Sequence, residues 1–225
     1  MPLTPLVIER NFNRLLDSLV DVLSLSRIHA NTISTIGIFP SIAAAYFSSQ
    51  GQFTVGGILI LIGGLLDMLD GKVARLNGHV SKFGAIYDAT LDRLAELVIY
   101  TGIGIYFIQH NMHLTSLVVV VAVGSSLLVS YVRARAESHG IPCEVGFLRR
   151  GDRIVLLGAG AFFDFMADVF HAIVQGIITL LGLEVRYAFP PMPLTLVLMV
   201  IAVLSPITVV QRLMYISKLS THKIE

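Results

Sequence analysis

The sequence predicts an all-α integral membrane protein with six transmembrane helices and an N-terminal interfacial amphipathic helix. Its 225 residues are 55% hydrophobic and 14% charged, with a mean hydropathy of +0.78, whereas soluble domains carry roughly 25% charged residues. The apolar residues fall into long runs separated by short polar connections, as expected for helices that cross a bilayer. The net charge of +1 suggests no nucleic-acid partner, and the single cysteine, Cys143, excludes an intramolecular disulfide.

The first 27 residues are predicted to form the interfacial helix. Charged side chains share one helical face there, and the opposite face would carry Ile8, Phe12, Leu15, Leu16, Leu19 and Leu23. A helix with that pattern lies in the plane of the membrane surface. Residues 28–225 are expected to form the six-helix bundle, so that residues 1–225 make a single membrane domain.

Six apolar segments predict the transmembrane helices, at about residues 31–49, 53–69, 82–109, 114–132, 154–181 and 193–216. Pro40 would kink the first of them. Gly71 would let the chain bend after the second, into a polar link predicted over residues 72–82. Asp164 and Asp168 lie inside the fifth segment, which we therefore expect to be interrupted there.

The basic residues predict the orientation. Of the 16 lysines and arginines, only Arg186 lies in a connection that this arrangement places outside. Because basic residues concentrate on the cytoplasmic side of membrane proteins, both termini and the polar link are expected in the cytoplasm. We expect a multi-pass protein of the cell (plasma) membrane.

Four aspartates lie around the polar link: Asp67, Asp70, Asp88 and Asp92. Their spacings of three and four residues place each pair on one helical face. Carboxylates clustered at a membrane edge repel one another unless a cation holds them, and oxygen ligands favour Mg²⁺, Mn²⁺ or Ca²⁺ over zinc. The sequence therefore predicts a divalent metal site with Asp67, Asp70 and Asp88 as ligands, and Asp92 as a further ligand or a general base.

Three neighbours of the aspartates each have two alternative roles. Gly84 lies one turn before Asp88, and it either clears space for a ligand or permits close helix packing. Glu96 is expected either to support the ligands from behind or to pair with Arg93. Lys82 is either a diphosphate contact or a solvated lysine at the membrane edge.

The full pattern, D-x-x-D-G-x-x-A-R-x8-G-x-x-x-D-x-x-x-D, resembles the signature of the CDP-alcohol phosphotransferase family at all eight of its fixed positions. The resemblance implies a homodimeric membrane enzyme of phospholipid synthesis that uses two Mg²⁺ or Mn²⁺ ions. It would transfer a phosphatidyl group from a CDP-diacylglycerol-type lipid to a hydroxyl acceptor, with release of CMP. The resemblance also implies that Asp92 is the general base. The CDP-lipid would be bound by Asp67, Asp70, Gly71, Ala74, Arg75 and Gly84.

A second group of polar residues comes from three separate regions: Ser130, Arg133, Arg150, Arg153 and Arg212. Anchoring at the cytoplasmic surface would by itself explain several of these arginines. The surrounding sequences SYVRARAE, GFLRRGDR and VQR also resemble the phosphatidylinositol phosphate synthases of actinobacteria. This resemblance implies that the group surrounds the phosphate of a phosphorylated polyol acceptor, inositol 1-phosphate.

The sequence also leaves alternatives to the transfer to inositol 1-phosphate. Within the family, the acceptor could be glycerol 3-phosphate, as in a phosphatidylglycerophosphate synthase, or serine or an unphosphorylated alcohol. A different class is a divalent-cation transporter that uses the acids as a transport site. A transporter predicts carboxylates near the middle of the membrane on broken helices.

Overall fold

The computed structural model describes residues 30–76, 81–180 and 191–221, and every regular element in these ranges is an α-helix. The all-α prediction is confirmed for them, whereas the interfacial helix predicted for residues 1–27 lies outside the described residues. The helices are α1 (Ala30–Ser49), α2 (Phe53–Leu76), α3 (Lys82–Gln109), α4 (His113–Ser138), α5 (Arg150–Phe162), α6 (Asp164–Leu180) and α7 (Met192–Thr221).

Several helices have the dimensions of membrane spans. Helix α4, the pair α5 and α6 taken together, and α7 are each long and apolar enough to cross a bilayer. Shorter apolar runs cover residues 35–49 of α1 and residues 53–69 of α2. Helix α3 has 28 residues, with charged residues in its first half. The helices agree with the predicted membrane fold, and the total of six spans stays a prediction.

The end of α2 corrects one prediction. The polar link expected over residues 72–82 begins later, because α2 continues without a break to Leu76. Gly71 is accommodated inside the helix rather than ending it. The residues that follow, among them Ala74 and Arg75, favour helix strongly, which outweighs the cost of one glycine.

The fifth apolar segment is interrupted, as predicted. Helix α5 ends at Phe162, Phe163 forms a turn, and α6 begins at Asp164. Asp164 is buried, with 4% of its surface exposed. The break lies beside the acidic residue that suggested it.

Close packing between helices depends on glycines. Helix α1 packs along α2 and α3, α2 packs along α5, and α4 packs along α7. A Cβ atom on Gly102 of α3 would collide with the backbone of Ala45 in α1. A Cβ atom on Gly57 of α2 would lie 2.6 Å from the carbonyl oxygen of Gly158 in α5. Small residues at such contacts let membrane helices approach closely.

The connection between α4 and α5 is held on α7. Arg212 Nε donates a hydrogen bond to the Val145 carbonyl oxygen at 2.9 Å, and the Leu148 amide lies 3.4 Å from Thr208 Oγ1. These bonds stabilise the last residues before α5. They therefore help to determine where α5 begins and where its first residue, Arg150, lies.

Candidate active site

The structure describes the side chains of three of the four predicted aspartates, and these three come together in space. Asp67 lies in the second half of α2, and Asp88 and Asp92 lie one turn apart in the first half of α3. One carboxylate oxygen from each lies within 4.8 Å of the other two. All three side chains are partly buried. The carboxylate oxygens therefore fit a hard divalent cation, which would also relieve their mutual repulsion.

Arg150 joins the two halves of this cluster. Its Nη1 donates to Asp67 Oδ2 at 2.9 Å, and its Nη2 lies 2.7 Å from Asp92 Oδ1. The Arg150 side chain is 23% exposed. Charge-assisted bonds from one planar guanidinium to two carboxylates are strong and directional. Arg150, predicted from the sequence to contact an acceptor phosphate, therefore also orients the aspartates.

The cluster lines a narrow cleft between α1, α2, α3 and α5. The cleft has an internal volume of about 40 Å³, which is enough for an ion or a water molecule. Gly63 and Gly64 of α2 form part of its wall. The glycines in the wall keep the helices close where the carboxylates meet.

The remaining predicted CDP-lipid residues lie on the same two helices. Asp70, Gly71, Ala74 and Arg75 follow Asp67 in the last two turns of α2, and their side chains lie outside the described part of the structure. Gly84 lies in the first turn of α3, where its amide donates to Ser81 Oγ at 2.9 Å. This bond caps the start of α3.

Glu96 pairs with Arg153, so of its two predicted roles the pairing with Arg93 is wrong, and the support of the ligands from behind stays a prediction. Arg153 Nε donates to Glu96 Oε1 at 3.1 Å, and the two side chains are 1% and 2% exposed. Arg93 instead donates to the carbonyl oxygen of Ala89 in its own helix. Glu96 points into the bundle, where Arg153 enters from α5, and it therefore bonds to Arg153 rather than to Arg93.

Most of the predicted acceptor residues are also neighbours. Arg153 Nη2 lies 3.4 Å from Ser130 Oγ, and Arg212 Nη1 donates to the carbonyl oxygen of Val129. Arg150 precedes Arg153 by one turn of α5. These contacts link side chains from α4, α5 and α7 into one basic region behind the aspartates.

Arg133 lies at the edge of this region. It follows Ser130 by one turn of α4 and pairs with Glu137 at 2.7 Å, with 45% of its side chain exposed. Arg133 is therefore the most accessible of the four predicted acceptor arginines, whereas Arg153 and Arg212 are buried.

Ser126 is a buried polar residue that the sequence did not single out. Its hydroxyl donates to Glu96 Oε1 at 2.5 Å. Ser126 precedes Ser130 by four residues, so the two hydroxyls share one face of α4. This spacing was a usable signal, because two serines one turn apart on an apolar helix indicate a polar partner inside the bundle.

Similarity to known proteins covers the aspartate cluster and the arginines of α5. Residues 27–159 match the family model described as CDP-alcohol phosphatidyltransferase. The archaetidylinositol phosphate synthase of Methanothermobacter thermautotrophicus is 34% identical over 153 residues, which are 68% of this chain and 74% of the relative. The phosphatidylinositol phosphate synthase of Mycobacteroides abscessus is 29% identical over 162 residues, 71% of this chain and 73% of the relative.

Solved structures agree with these relatives. The fold is similar to the Mycobacterium tuberculosis phosphatidylinositol phosphate synthase with CDP-DAG bound, with a TM-score of 0.71, 26% identity, and coverage of 90% of this chain and 94% of the other. The same enzyme in complex with manganese and citrate gives a TM-score of 0.72 and 25% identity, and covers 89% and 88%. The aspartate cluster, the fold and the matched residues together show that this chain belongs to the CDP-alcohol phosphatidyltransferase family.

Proposed function

We propose that the protein transfers the phosphatidyl-type group of a CDP-diacylglycerol-type lipid to a hydroxyl of inositol 1-phosphate, with release of CMP. The observation that carries the proposal is the cluster of Asp67, Asp88 and Asp92 bridged by Arg150, with a basic region directly behind it. A solved relative is described with CDP-DAG bound. Several relatives are named as phosphatidylinositol phosphate synthases.

The aspartates would hold the divalent cations, Mg²⁺ or Mn²⁺ and two in number. Asp67 and Asp88 supply oxygens on facing helices, Asp70 lies one turn beyond Asp67, and Asp92 adds a further ligand. Bound divalent ions supply charge neutralisation for the diphosphate and for the departing CMP. Manganese in a solved relative supports this assignment.

Asp92 would take the proton from the attacking hydroxyl. Its Oδ1 is held by Arg150 at 2.7 Å, and 15% of its side chain is exposed. A general base must have a determined position near the proton that it accepts. The bond from Arg150 to Oδ1 provides that position, and the base role would use Oδ2.

The nucleotide end of the lipid would bind at the end of α2. Gly71 and Ala74 lack large side chains and would leave room for the cytidine, Arg75 would contact a phosphate, and Gly84 would leave space beside Asp88. The acyl or ether chains would stay in the membrane. The names of two relatives, archaetidyl and phosphatidyl, differ in the lipid and share inositol phosphate.

The acceptor phosphate would bind in the basic region. It brings about two negative charges beside a diphosphate, so it requires cations of its own. Arginine suits this role because its planar fork binds phosphate through two bonds. We assign this role to Ser130, Arg133, Arg150, Arg153 and Arg212. Arg153 is buried against Glu96 and would act from behind the others rather than by direct contact with the phosphate.

The oligomeric state and the location in the cell are part of the same proposal. We propose a homodimer in the plasma membrane, with the termini and the active site in the cytoplasm and residues 1–225 as one domain. A cytoplasmic site suits the water-soluble acceptor, inositol 1-phosphate, and the water-soluble product, CMP. The concentration of basic residues near the aspartate end of the bundle supports the orientation.

A reconstituted assay tests the function. Purified full-length protein receives CDP-diacylglycerol, Mg²⁺ and one acceptor at a time: inositol 1-phosphate, free inositol, glycerol 3-phosphate or serine. Of the four acceptors, we expect only inositol 1-phosphate to cause CMP release. Equal release with free inositol would contradict the phosphate contact, and a preference for glycerol 3-phosphate would replace the acceptor but keep the reaction.

A transport function has little support. The described aspartates lie on the unbroken helices α2 and α3, with Asp67 at the end of the apolar run 53–69 of α2 and the other two in the first half of α3. Transport sites of acidic residues are expected near mid-membrane on interrupted helices. Mn²⁺ uptake into liposomes that contain the protein is therefore expected to equal uptake into empty liposomes.

A further inference from the structure

Two arginine–carboxylate bridges join α3 to α5, one helical turn apart. The outer bridge joins Arg150 Nη2 to Asp92 Oδ1 at 2.7 Å, and the inner bridge joins Arg153 Nε to Glu96 Oε1 at 3.1 Å. The outer side chains are 23% and 15% exposed, and the inner ones are 1% and 2% exposed. The inner bridge is therefore a buried ion pair directly behind the aspartate cluster.

Other polar groups complete the inner bridge. Ser126 Oγ donates to Glu96 Oε1 at 2.5 Å. Arg153 Nη2 lies 3.3 Å from the Ser126 carbonyl oxygen and 3.4 Å from Ser130 Oγ, and Nη1 lies 3.4 Å from the Leu148 carbonyl oxygen. Buried ion pairs persist when such bonds satisfy their remaining donors and acceptors. Glu96 is thus committed to Arg153 and Ser126 rather than to a metal ion.

Glu96 also controls where the Arg153 charge resides. Without Glu96, Arg153 would be a buried cation that lacks its carboxylate partner, which is a costly arrangement. The next carboxylate along that face of α3 is Asp92, four residues earlier. A second guanidinium drawn toward Asp92 would place an additional positive charge beside oxygens that Arg150 already contacts. In a partly buried site, this charge would repel a divalent cation strongly.

We propose that Glu96 is a positioning residue for the aspartate cluster. By holding Arg153 one turn away, Glu96 keeps the carboxylates of Asp67 and Asp92 available to a divalent cation. This inference rests on the metal binding in the proposed function, and it is independent of which lipid or acceptor is used.

A Mn²⁺ titration of the purified full-length protein, followed by EPR without lipid substrate or acceptor, tests the proposal. Glu96→Gln keeps the size of the side chain and removes its charge, so we expect about tenfold weaker Mn²⁺ binding. Arg153→Gln is expected to bind Mn²⁺ at least as tightly as the unaltered protein. Glu96→Gln combined with Arg153→Gln removes both charges. The Mn²⁺ affinity of this double variant should lie within about threefold of that of the unaltered protein.

Glu144→Gln is the matched control, because Glu144 is exposed and lies 3.9 Å from Arg133 at the edge of the basic region. Its Mn²⁺ affinity should be unchanged. A purely structural role of Glu96 predicts lower thermal stability in Glu96→Gln with unchanged Mn²⁺ affinity of the folded protein, and that result would overturn the proposal.

The test does not depend on Glu96→Gln alone, because Glu96→Gln is expected to weaken Mn²⁺ binding and Arg153→Gln is not. If Glu96→Gln does not fold, weaker Mn²⁺ binding by Arg153→Gln, or by a folded double variant, overturns the proposal, and retained binding by both supports it. CMP release is not part of the readout. Failure of every acceptor in the transfer assay would therefore overturn the proposed function and leave the Mn²⁺ result intact.

Discussion

Arg150 controls the electrostatics of the candidate site at the scale of single residues. Its guanidinium contacts Asp67 and Asp92, which come from different helices. A cation between two carboxylates offsets part of their repulsion, and the planar fork of arginine satisfies both at once. Arg150 also belongs to the group predicted to bind the acceptor phosphate. It therefore connects the two halves of the site, the acidic cleft and the basic region.

A substitution of Asp92 distinguishes its two possible roles, general base and metal ligand. Asp92→Asn is expected to lower kcat by about 10²–10⁴-fold, the typical loss when a general base is removed. The Kd of the CDP-lipid should change little, because Asp67, Asp70 and Asp88 remain. Turnover and lipid binding are measured on the same preparation. A loss of lipid affinity that parallels the loss of rate would identify Asp92 chiefly as a metal ligand.

Arg212 carries the prediction about the acceptor. Arg212→Ala is expected to raise the KM for inositol 1-phosphate by about 10–100-fold, because a charge-assisted hydrogen bond contributes roughly 1.5–3 kcal/mol. The KM for the CDP-lipid should stay nearly the same. Arg135→Ala is the control, since Arg135 is exposed on α4 and is not assigned to the basic region. If Arg212→Ala leaves the acceptor KM unmoved, the arginine is a structural anchor for residues 139–149.

Helix α5 is the element on which the site depends. It carries both arginines of the two bridges to α3, and it packs against α2 where Gly57 faces Gly158. The backbones can approach there only because neither residue has a side chain. The distance between α2 and α5 therefore determines whether Arg150 reaches Asp67.

Gly57→Ala tests this helix contact. The added Cβ would collide with the backbone of Phe162 and Gly158, and such overpacking costs about 1–3 kcal/mol. We expect a lower midpoint of thermal unfolding and a lower rate of CMP release. The matched control is Gly124→Ala, where a Cβ meets nothing within 4 Å, and where alanine stabilises a helix by up to about 1 kcal/mol. Equal stability of the two variants would show that α2 and α5 can move apart at Gly57 without a loss of stability.

At the scale of the whole molecule, the candidate metal site joins separate helices. Asp67 comes from α2, Asp88 and Asp92 come from α3, and Arg150 of α5 contacts two of them. A ligand that binds only the folded protein raises its stability. A divalent ion at this position is therefore expected to stabilise the bundle as well as to serve the reaction.

Thermal unfolding with and without Mn²⁺ measures this stabilisation. At a Mn²⁺ concentration about 100 times its Kd, the folded state should gain about 2.7 kcal/mol. Excess chelator should remove both this gain and CMP release. Asp88→Asn should show neither, because one ligand charge of the hard-cation site is lost. A Mn²⁺-dependent gain that persists in Asp88→Asn would place the ion elsewhere.

The helical class, the approximate extent of the helices and the aspartate motif can all be predicted from the sequence. Hydropathy and helical periodicity are local properties of the chain. The segment predicted over residues 82–109 therefore agrees with α3 at its first and last residues. The spacing of Asp88 and Asp92 places both carboxylates on one face before any fold is known. Local signals failed at the end of α2, where glycine and charge suggested a link and the chain continues as helix to Leu76.

Which charged side chains form pairs depends on how the helices pack. Arg150 reaches Asp67 across 83 residues of chain, and Arg153 reaches Glu96 across 57. For Glu96, the sequence offered Arg93 in its own helix as one of two possible roles, and the structure pairs it with Arg153. The physical reason is that partners so distant in the chain depend on how α2, α3 and α5 pack. That packing is set by backbone contacts such as Gly57 against Gly158, which no helical periodicity encodes.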